Sequence, residues 1–84
     1  WQINIFPNPA NEVVNMDLVN FTQDELNQNL VLYLIDGNFN FKKSIPVTQF
    51  TESMEVFDVE PGNHYIFTVV NGENVISSQF IIQH

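Results

Sequence analysis

Residues 3–10 read INIFPNPA, a short apolar segment that runs directly into two prolines. The two isoleucines stand two positions apart, which places both side chains on one face of a β-strand. Pro7 and Pro9 have no backbone amide and a fixed φ, and Asn8 is held extended by the proline that follows it. Strand pairing must therefore end here, and the sequence predicts a strand followed by a rigid corner that closes at Ala10.

Short apolar segments of the same kind recur along the whole chain between turn signals. Val, Ile, Phe, Tyr, Trp and Thr are abundant and only one Ala is present, a bias that favours strands over helices. Spacings of roughly 8–12 residues are typical of an antiparallel sandwich and not of βαβ units. The sequence therefore predicts one all-β domain over residues 1–84. Its seven strands are expected at Gln2–Phe6, Glu12–Val19, Asn29–Asp36, Phe39–Pro46, Ser53–Asp58, His64–Asn71 and Glu73–Gln83.

The third and sixth predicted strands are expected to hold the core together. The segment Leu30–Ile35 is apolar throughout, which indicates a central strand covered on both faces. In the sixth strand Tyr65 and Phe67 alternate with more polar residues, which predicts a buried aromatic face. His64 then falls on the other side of that strand, and we expect it to be an ordinary exposed histidine at a strand edge.

The connections carry clear turn signals. Gly and Asn tolerate the positive φ that tight hairpin turns require, so hairpins are predicted at Asp36-Gly37-Asn38 and at Asn71-Gly72. The polar segment Asn20–Gln28 lacks strand alternation and is a connection. The sequence leaves open whether it contains a helical turn at Thr22–Glu25.

The charge balance excludes several classes of partner. Two Lys, no Arg and ten Asp or Glu give a net charge of −8, which repels a phosphate backbone, so nucleic-acid binding is not expected. The same charge opposes binding to an anionic membrane, and no apolar run reaches the ~20 residues of a spanning helix. We therefore expect no direct membrane insertion. The absence of Cys removes disulfides, thiolate catalysis and thiolate metal sites.

No catalytic or metal-binding pattern emerges, and we expect no enzyme activity, no cofactor and no metal. The two His, the scattered Ser and the scattered carboxylates form no nucleophile–base arrangement. The segment that begins at Asp36 opens like a calcium loop, but its sixth position is Phe41 and its twelfth is Val47, where that loop needs Gly and Glu. Lys42 and Lys43 are the only cations, and they indicate a solubilising strand edge more than a recognition site.

Three further signals follow INIFPNPA in order along the chain. They are Val31-Leu32-Tyr33 before Gly37, Glu55–Val59 before Pro61-Gly62 and Tyr65, and a closing strand after Asn71-Gly72. Together these signals resemble the type A C-terminal sorting domain of the type IX secretion system, or Por secretion system, of Bacteroidetes. The resemblance covers nearly the whole chain and implies a seven-stranded antiparallel immunoglobulin-like β-sandwich. The chain departs from the family pattern at Gly62, which stands one place early, and at Ser77–Gln79, where Lys is usual.

The resemblance implies a non-catalytic sorting signal that follows an N-terminal passenger in the same chain. Its implied partners are the type IX translocon, an outer-membrane β-barrel shuttle protein and a sortase-like surface protease that usually removes the domain. The implied location is the periplasm in transit and then the outer-membrane surface or the medium. Because the chain begins at Trp1 already within a strand, we expect it to be a fragment of a longer cargo protein.

Partner recognition is expected from the corner, the glycine turn and the closing strand. We expect the first and last strands to lie at adjacent sheet edges, so that the corner and the closing strand form one docking label. The residues expected to contribute are Pro7, Asn8, Pro9, Ala10, Gly62, Tyr65, Phe80, Ile81 and Ile82.

The alternative is an immunoglobulin-like adhesive or carbohydrate-binding accessory module of an extracellular protein. Trp1, Phe39, Phe41 and Phe50 could supply its contact surface. The same side chains could equally be core, and Phe39 and Phe41 are expected there because they share one side of a predicted strand. A sorting domain must end its parent chain, whereas a binding module can lie anywhere in it.

Overall fold

Seven strands and one short helix make up the computed structural model, which describes all 84 residues. The strands form two antiparallel sheets packed face to face, which confirms the predicted seven-stranded immunoglobulin-like β-sandwich. The elements are β1 (Gln2–Phe6), β2 (Val13–Val19), α1 (Gln23–Leu26), β3 (Val31–Asp36), β4 (Phe41–Pro46), β5 (Thr51–Glu55), β6 (Gly62–Val70) and β7 (Asn74–Ile82).

One sheet has the order β1-β2-β5 and the other the order β4-β3-β6-β7. In the constant-type immunoglobulin arrangement the fourth strand joins the sheet of the first, second and fifth strands. Here the tight turn after β3 keeps β4 beside β3 instead. Strands β1 and β7 are each paired on one side only, and they contact each other across the two sheets. The first and last strands therefore lie at adjacent edges.

The core lies between the inner faces of the two sheets. Val14, Met16 and Leu18 of β2 are buried, as their alternation with polar residues predicts. Leu32 and Leu34 of β3 face them from the opposite sheet and are also buried. Each such side chain contributes about 1.5–3 kcal/mol of burial free energy, which is the main source of stability in a domain without disulfides.

The predicted orientation of β6 is wrong. Its buried face carries His64, Ile66, Thr68 and Val70, while the aromatic residues alternate on the outer face. A polar residue can occupy this core because Thr68 donates from Oγ1 to the carbonyl oxygen of Val31 at 2.8 Å. The aliphatic members of the inner face supply the packing, and the aromatic rings stay at the surface.

His64 is buried, contrary to the expected exposed histidine. Its Nδ1 donates to the carbonyl oxygen of Gly62 at 2.9 Å, since a carbonyl can only accept. Its Nε2 has no hydrogen-bond partner, and the ring lies 6.0 Å from that of Phe80 between the sheets. The polar side chain of His64 favoured an exposed position, so its burial could not be predicted from the residue type.

Strand β3 is central, as predicted, but only one of its faces is covered. In a two-layer sandwich each sheet has one face toward the partner sheet and one toward solvent. Tyr33 lies on the outer face, where it stacks on Phe67 with ring centroids 5.0 Å apart. The apolar run of β3 therefore builds part of an outer aromatic surface instead of a second buried face.

Both predicted hairpins are present, and the hydrogen bonds of Asp36 define the first one. Its Oδ1 accepts from the amides of Asn38 and Asn40, each at 2.9 Å, and Lys42 lies 3.6 Å from its Oδ2. Phe39 occupies the turn with a φ of 65°, so β4 begins later than predicted. Its ring is 72% exposed, and the expectation that this residue lies in the core is wrong.

The connection between the second and third strands contains α1. Thr22 accepts from the amide of Glu25 through its hydroxyl, and the carboxylate of Glu25 accepts from the amide of Thr22. This capping box satisfies the free amides at the helix start, which explains why a helical turn forms here. No helix in the structure has the length and apolar character needed to cross a membrane.

Candidate recognition site

The proline corner is hydrogen-bonded to the end of β7. Ala10 donates from its amide to the carbonyl oxygen of Ile81 at 2.8 Å and accepts from the amide of Gln83 at 2.8 Å, which makes a parallel bridge. The side chain of Asn8 adds a third bond, accepting from the amide of Ile81 at 3.0 Å. The two X-Pro bonds of the corner, before Pro7 and Pro9, are both cis.

The corner has an exposed part and a buried part. Pro7, Asn8 and Pro9 are exposed, whereas Ala10 is fully buried beneath them. A small side chain suits this position, because Ala10 is completely buried within the core cluster and close-packed cores leave little space for extra atoms. Pro7, Asn8 and Pro9 are accessible to a partner. The side chain of Ala10 is not accessible, and its backbone amide and carbonyl already bond to the end of the chain at Ile81 and Gln83.

The closing strand alternates in the same way. Phe80 and Ile82 point inward and are buried, whereas Ile81 points outward and is 43% exposed. In the folded domain Phe80 and Ile82 therefore contribute to packing, and Ile81 is the apolar side chain of this segment that a partner can reach.

Gly62 and Tyr65 lie at two different places. Gly62 begins β6 opposite Ile82, so the backbones of Ala10, Ile82 and Gly62 form a continuous row across three chain segments. Tyr65 lies on the outer face, where its ring stacks on Phe39 at 5.7 Å. The structure thus brings the glycine to the corner and places the tyrosine on the sheet surface.

Further contacts at this edge were not expected from the sequence. The hydroxyl of Ser78 donates to the carbonyl oxygen of Ile3, which ties β7 directly to β1. Nε2 of His84 donates to the carbonyl oxygen of Val59 at 2.7 Å, and Nδ1 lies 3.2 Å from the side-chain oxygen of Asn11. Hydrogen bonds from single serine and histidine side chains to residues far away in sequence leave no periodic pattern, so the sequence could not predict these contacts.

The opposite edge of the sandwich is closed by Lys43. Its Nζ donates to Oδ1 of Asp58 at 2.6 Å and to the carbonyl oxygen of Glu55 at 2.9 Å, and it lies above the ring of Phe57. The hydrogen bond from Lys43 holds the pKa of Asp58 below its ordinary value, against a smaller opposing effect of burial. Since Lys42 also pairs with Asp36, both cations are engaged within the domain.

The four aromatic residues of the alternative hypothesis are all exposed, Phe41 included. Trp1 donates from Nε1 to the carboxylate of Glu25 at 2.8 Å, which holds its ring beside α1. Phe39 lies on the outer face of the four-stranded sheet beside Tyr65. Phe50 lies in the connection before β5, and its carbonyl oxygen accepts from the amide of Leu18.

Comparison with known proteins identifies one family. The family described as the secretion system C-terminal sorting domain matches residues 4–83, which include the corner and the whole of β7. No curated protein matches the chain. Because the family match extends over nearly the full length and agrees with the seven-stranded sandwich, the chain belongs to the C-terminal sorting domain family of the type IX secretion system.

Proposed function

We propose that this domain directs an N-terminal passenger through the type IX secretion system as a non-catalytic label. Membership of the family supports a C-terminal sorting signal for type IX secretion, which implies such a secretion system and a passenger in the same chain. The finer proposal is that the domain crosses the periplasm, meets the translocon and the outer-membrane shuttle barrel, and is removed by a sortase-like surface protease. The passenger then remains at the surface or is released.

The observation that carries this proposal is the hydrogen-bonded unit of corner and closing strand. Backbone and side-chain bonds from Asn8 and Ala10 fix the position of Ile81 at the sheet edge. A label must present the same surface on every passenger, and a corner fixed by two prolines and three hydrogen bonds does so with little conformational freedom. The exposed members, Pro7 to Pro9 and Ile81, are the proposed contacts.

Export of a reporter tests this function. Residues 1–84 are appended to a periplasmic reporter in a Bacteroidetes host, and surface and medium fractions are assayed for the reporter. We expect export in the parent strain and retention in the periplasm of a strain that lacks the translocon. Retention in both strains would refute the proposal.

Removal of Phe80–His84 should abolish export, but it also removes two core side chains and so tests folding as well. Ile81→Ser is the sharper variant because that side chain is exposed. Val13→Ser is a matched control, since Val13 is also β-branched, lies in a strand and is 41% exposed. We expect Ile81→Ser to reduce export and Val13→Ser to leave it unchanged, with both domains folded.

The second candidate function is the adhesive or carbohydrate-binding module, which the exposed aromatic side chains favour. It predicts that the isolated domain is retained on polysaccharide from the cell surface and that Phe41→Ser abolishes this retention. A sorting label predicts export without such retention. The two functions therefore separate in one pair of assays.

A further inference from the structure

The four sheet edges differ in how they are protected against pairing with another chain. Strand β4 carries Lys42 and Lys43, and β5 carries Glu52 and Glu55, the charges by which edge strands usually avoid further pairing. Strand β1 is short and ends at the proline corner. Strand β7, by contrast, has neither a charge nor a proline over the nine residues Asn74–Ile82.

The main chain of β7 is open along part of this edge. The amide and carbonyl of Ile81 point away from β6, because they bond to the corner. In a regular antiparallel strand every second residue shares this direction, and the pairing of β6 with β7 has no bulge. The amides and carbonyls of Val75, Ser77 and Gln79 therefore point outward too, and none of them has a hydrogen-bond partner in the domain.

An apolar groove of about 330 Å³ adjoins this open edge on the outer face. Ser77 lies opposite Phe67 in the pairing of β6 with β7, and Phe67 lies opposite Tyr33 in the next strand. The side chains in this row decrease in size toward the edge, which leaves a depression beside the open backbone groups. The lining residues are Ile35, Phe39, Tyr65, Phe67, Val75 and Ser77.

We propose that an extended segment of a partner protein adds to β7 along Val75–Gln79 as an extra strand. This inference rests on the proposed sorting function and names the mode of recognition. The open amides and carbonyls would pair with the main chain of the segment, and one apolar side chain of the segment would enter the groove. The corner already bonds to the amide and carbonyl of Ile81, so the added strand ends before that residue.

Charge and lining define the chemistry of the occupant. The net charge of −8 selects a segment that is neutral or basic and disfavours a second copy of the domain. Ser77 and Tyr65 supply the hydroxyls of a groove whose other side chains are apolar, so the groove suits an aliphatic side chain better than a sugar. The partner segment is therefore an extended chain with apolar residues at alternate positions and without acidic residues.

A proline at position 77 would test the added strand. Ser77→Pro removes an amide that has no partner within the domain, and the pyrrolidine ring obstructs an incoming strand. Ser44→Pro is the matched control. Ser44 lies on the edge strand β4 opposite Tyr33, and because Val47 pairs with Leu30, alternation directs the amide of Ser44 to solvent as well.

Both variants are placed behind the periplasmic reporter in the type IX host, and thermal unfolding of the purified chains verifies the fold. We expect loss of export for Ser77→Pro and export at the level of the unchanged chain for Ser44→Pro. Equal export of both, or equal loss with both chains folded, overturns the added strand. If proline unfolds either chain, Ser77→Arg and Ser44→Arg are compared in the same way.

The unchanged chain separates this inference from the function on which it rests. If it fails to export the reporter in the presence of the translocon, the sorting function itself is refuted. If it exports the reporter and Ser77→Pro does so equally well, only the added strand is refuted. Sedimentation gives a further check, because a dimer of the unchanged chain that Ser77→Pro abolishes would assign the edge to a second copy and overturn the proposed partner.

Discussion

The amide of Ala10 donates to the carbonyl oxygen of Ile81 at 2.8 Å, and this bond joins the first corner of the chain to its last strand. The amide of Gln83 returns a bond to Ala10, so two segments far apart in sequence form one parallel bridge. The corner therefore completes the edge of the four-stranded sheet although its own strand belongs to the other sheet. The proposed presentation of the corner to a partner therefore rests on a contact that also closes the sheet edge.

The first prediction concerns the space around Ala10. Ala10→Leu inserts three carbons at a fully buried position against the last strand, and overpacking of this kind costs about 1–3 kcal/mol. We expect the free energy of unfolding to fall by that amount in urea denaturation. Glu12→Leu, at a nearby exposed position, should change it by less than about 0.5 kcal/mol. Equal effects of the two substitutions would contradict the close packing of the corner.

The second prediction concerns the side chain of Asn8. Asn8→Ala removes the acceptor for the amide of Ile81, and we expect a loss of about 0.5–1.5 kcal/mol of stability. Asn8→Asp keeps an acceptor oxygen and should retain most of the stability. Hydrogen exchange provides the local measurement. The Ile81 amide should exchange faster in Asn8→Ala, while the Ala10 amide remains protected, and unchanged exchange at Ile81 would show that the bond is unimportant.

The third prediction concerns the backbone of Gly62. Its φ of 129° lies in a region that is open almost only to glycine, and no atom stands where a Cβ would be. Gly62→Asn should therefore cost about 1–3 kcal/mol through backbone strain alone. Gly72→Asn is the matched control, because a φ of 76° is close to the left-handed conformation that asparagine tolerates. A smaller loss of stability for Gly62→Asn than for Gly72→Asn in urea denaturation would contradict this reasoning.

Periodicity predicted the number of strands and their order along the chain, and it placed most strand boundaries within two residues. The second hairpin was found because Asn71 and Gly72 take the positive φ that their residue types allow, whereas at the first hairpin the turn was located correctly although the positive φ falls on Phe39. The proline corner was found because proline restricts backbone pairing wherever it occurs. Features that a single residue type imposes on the backbone were therefore predictable.

The choice of buried face in β6 was not predictable. Both faces of this strand carry apolar residues, so alternation alone could not decide between Tyr65 with Phe67 and Ile66 with Val70. The inner face was decided by packing against the other sheet, and the bond from Thr68 to Val31 of the neighbouring strand β3 makes the buried hydroxyl acceptable. Long-range partners of this kind, like the bond from Asn8 to Ile81, have no signature in local sequence.

The last prediction concerns pH and the hairpin carboxylate of Asp36. The amide of Asn40 lowers the pKa of Asp36 below its ordinary value, against an opposing effect of burial. The side chain of Asn40, the amide of Asn38 and the charge of Lys42 lower it further. The pKa values of Glu25 and Asp58 are shifted in the same direction, by the amide of Thr22 and by Lys43 respectively. All three carboxylates are therefore more acidic in the folded chain than in the unfolded chain.

A lowered pKa means that the unfolded chain binds more protons than the folded chain in the window between the two values, which lies below about pH 4. The stabilisation is complete above the ordinary pKa and is lost as the pH falls through the folded-state pKa. We expect the free energy of unfolding, measured in urea between about pH 7 and pH 2.5, to fall below about pH 4, and to fall less steeply in Asp36→Asn. Glu73→Gln controls for the loss of one negative charge, because that exposed carboxylate makes no hydrogen bond in the domain. If Asp36→Asn followed the unchanged chain through the whole window, the hairpin bonds would contribute no stability that depends on ionisation.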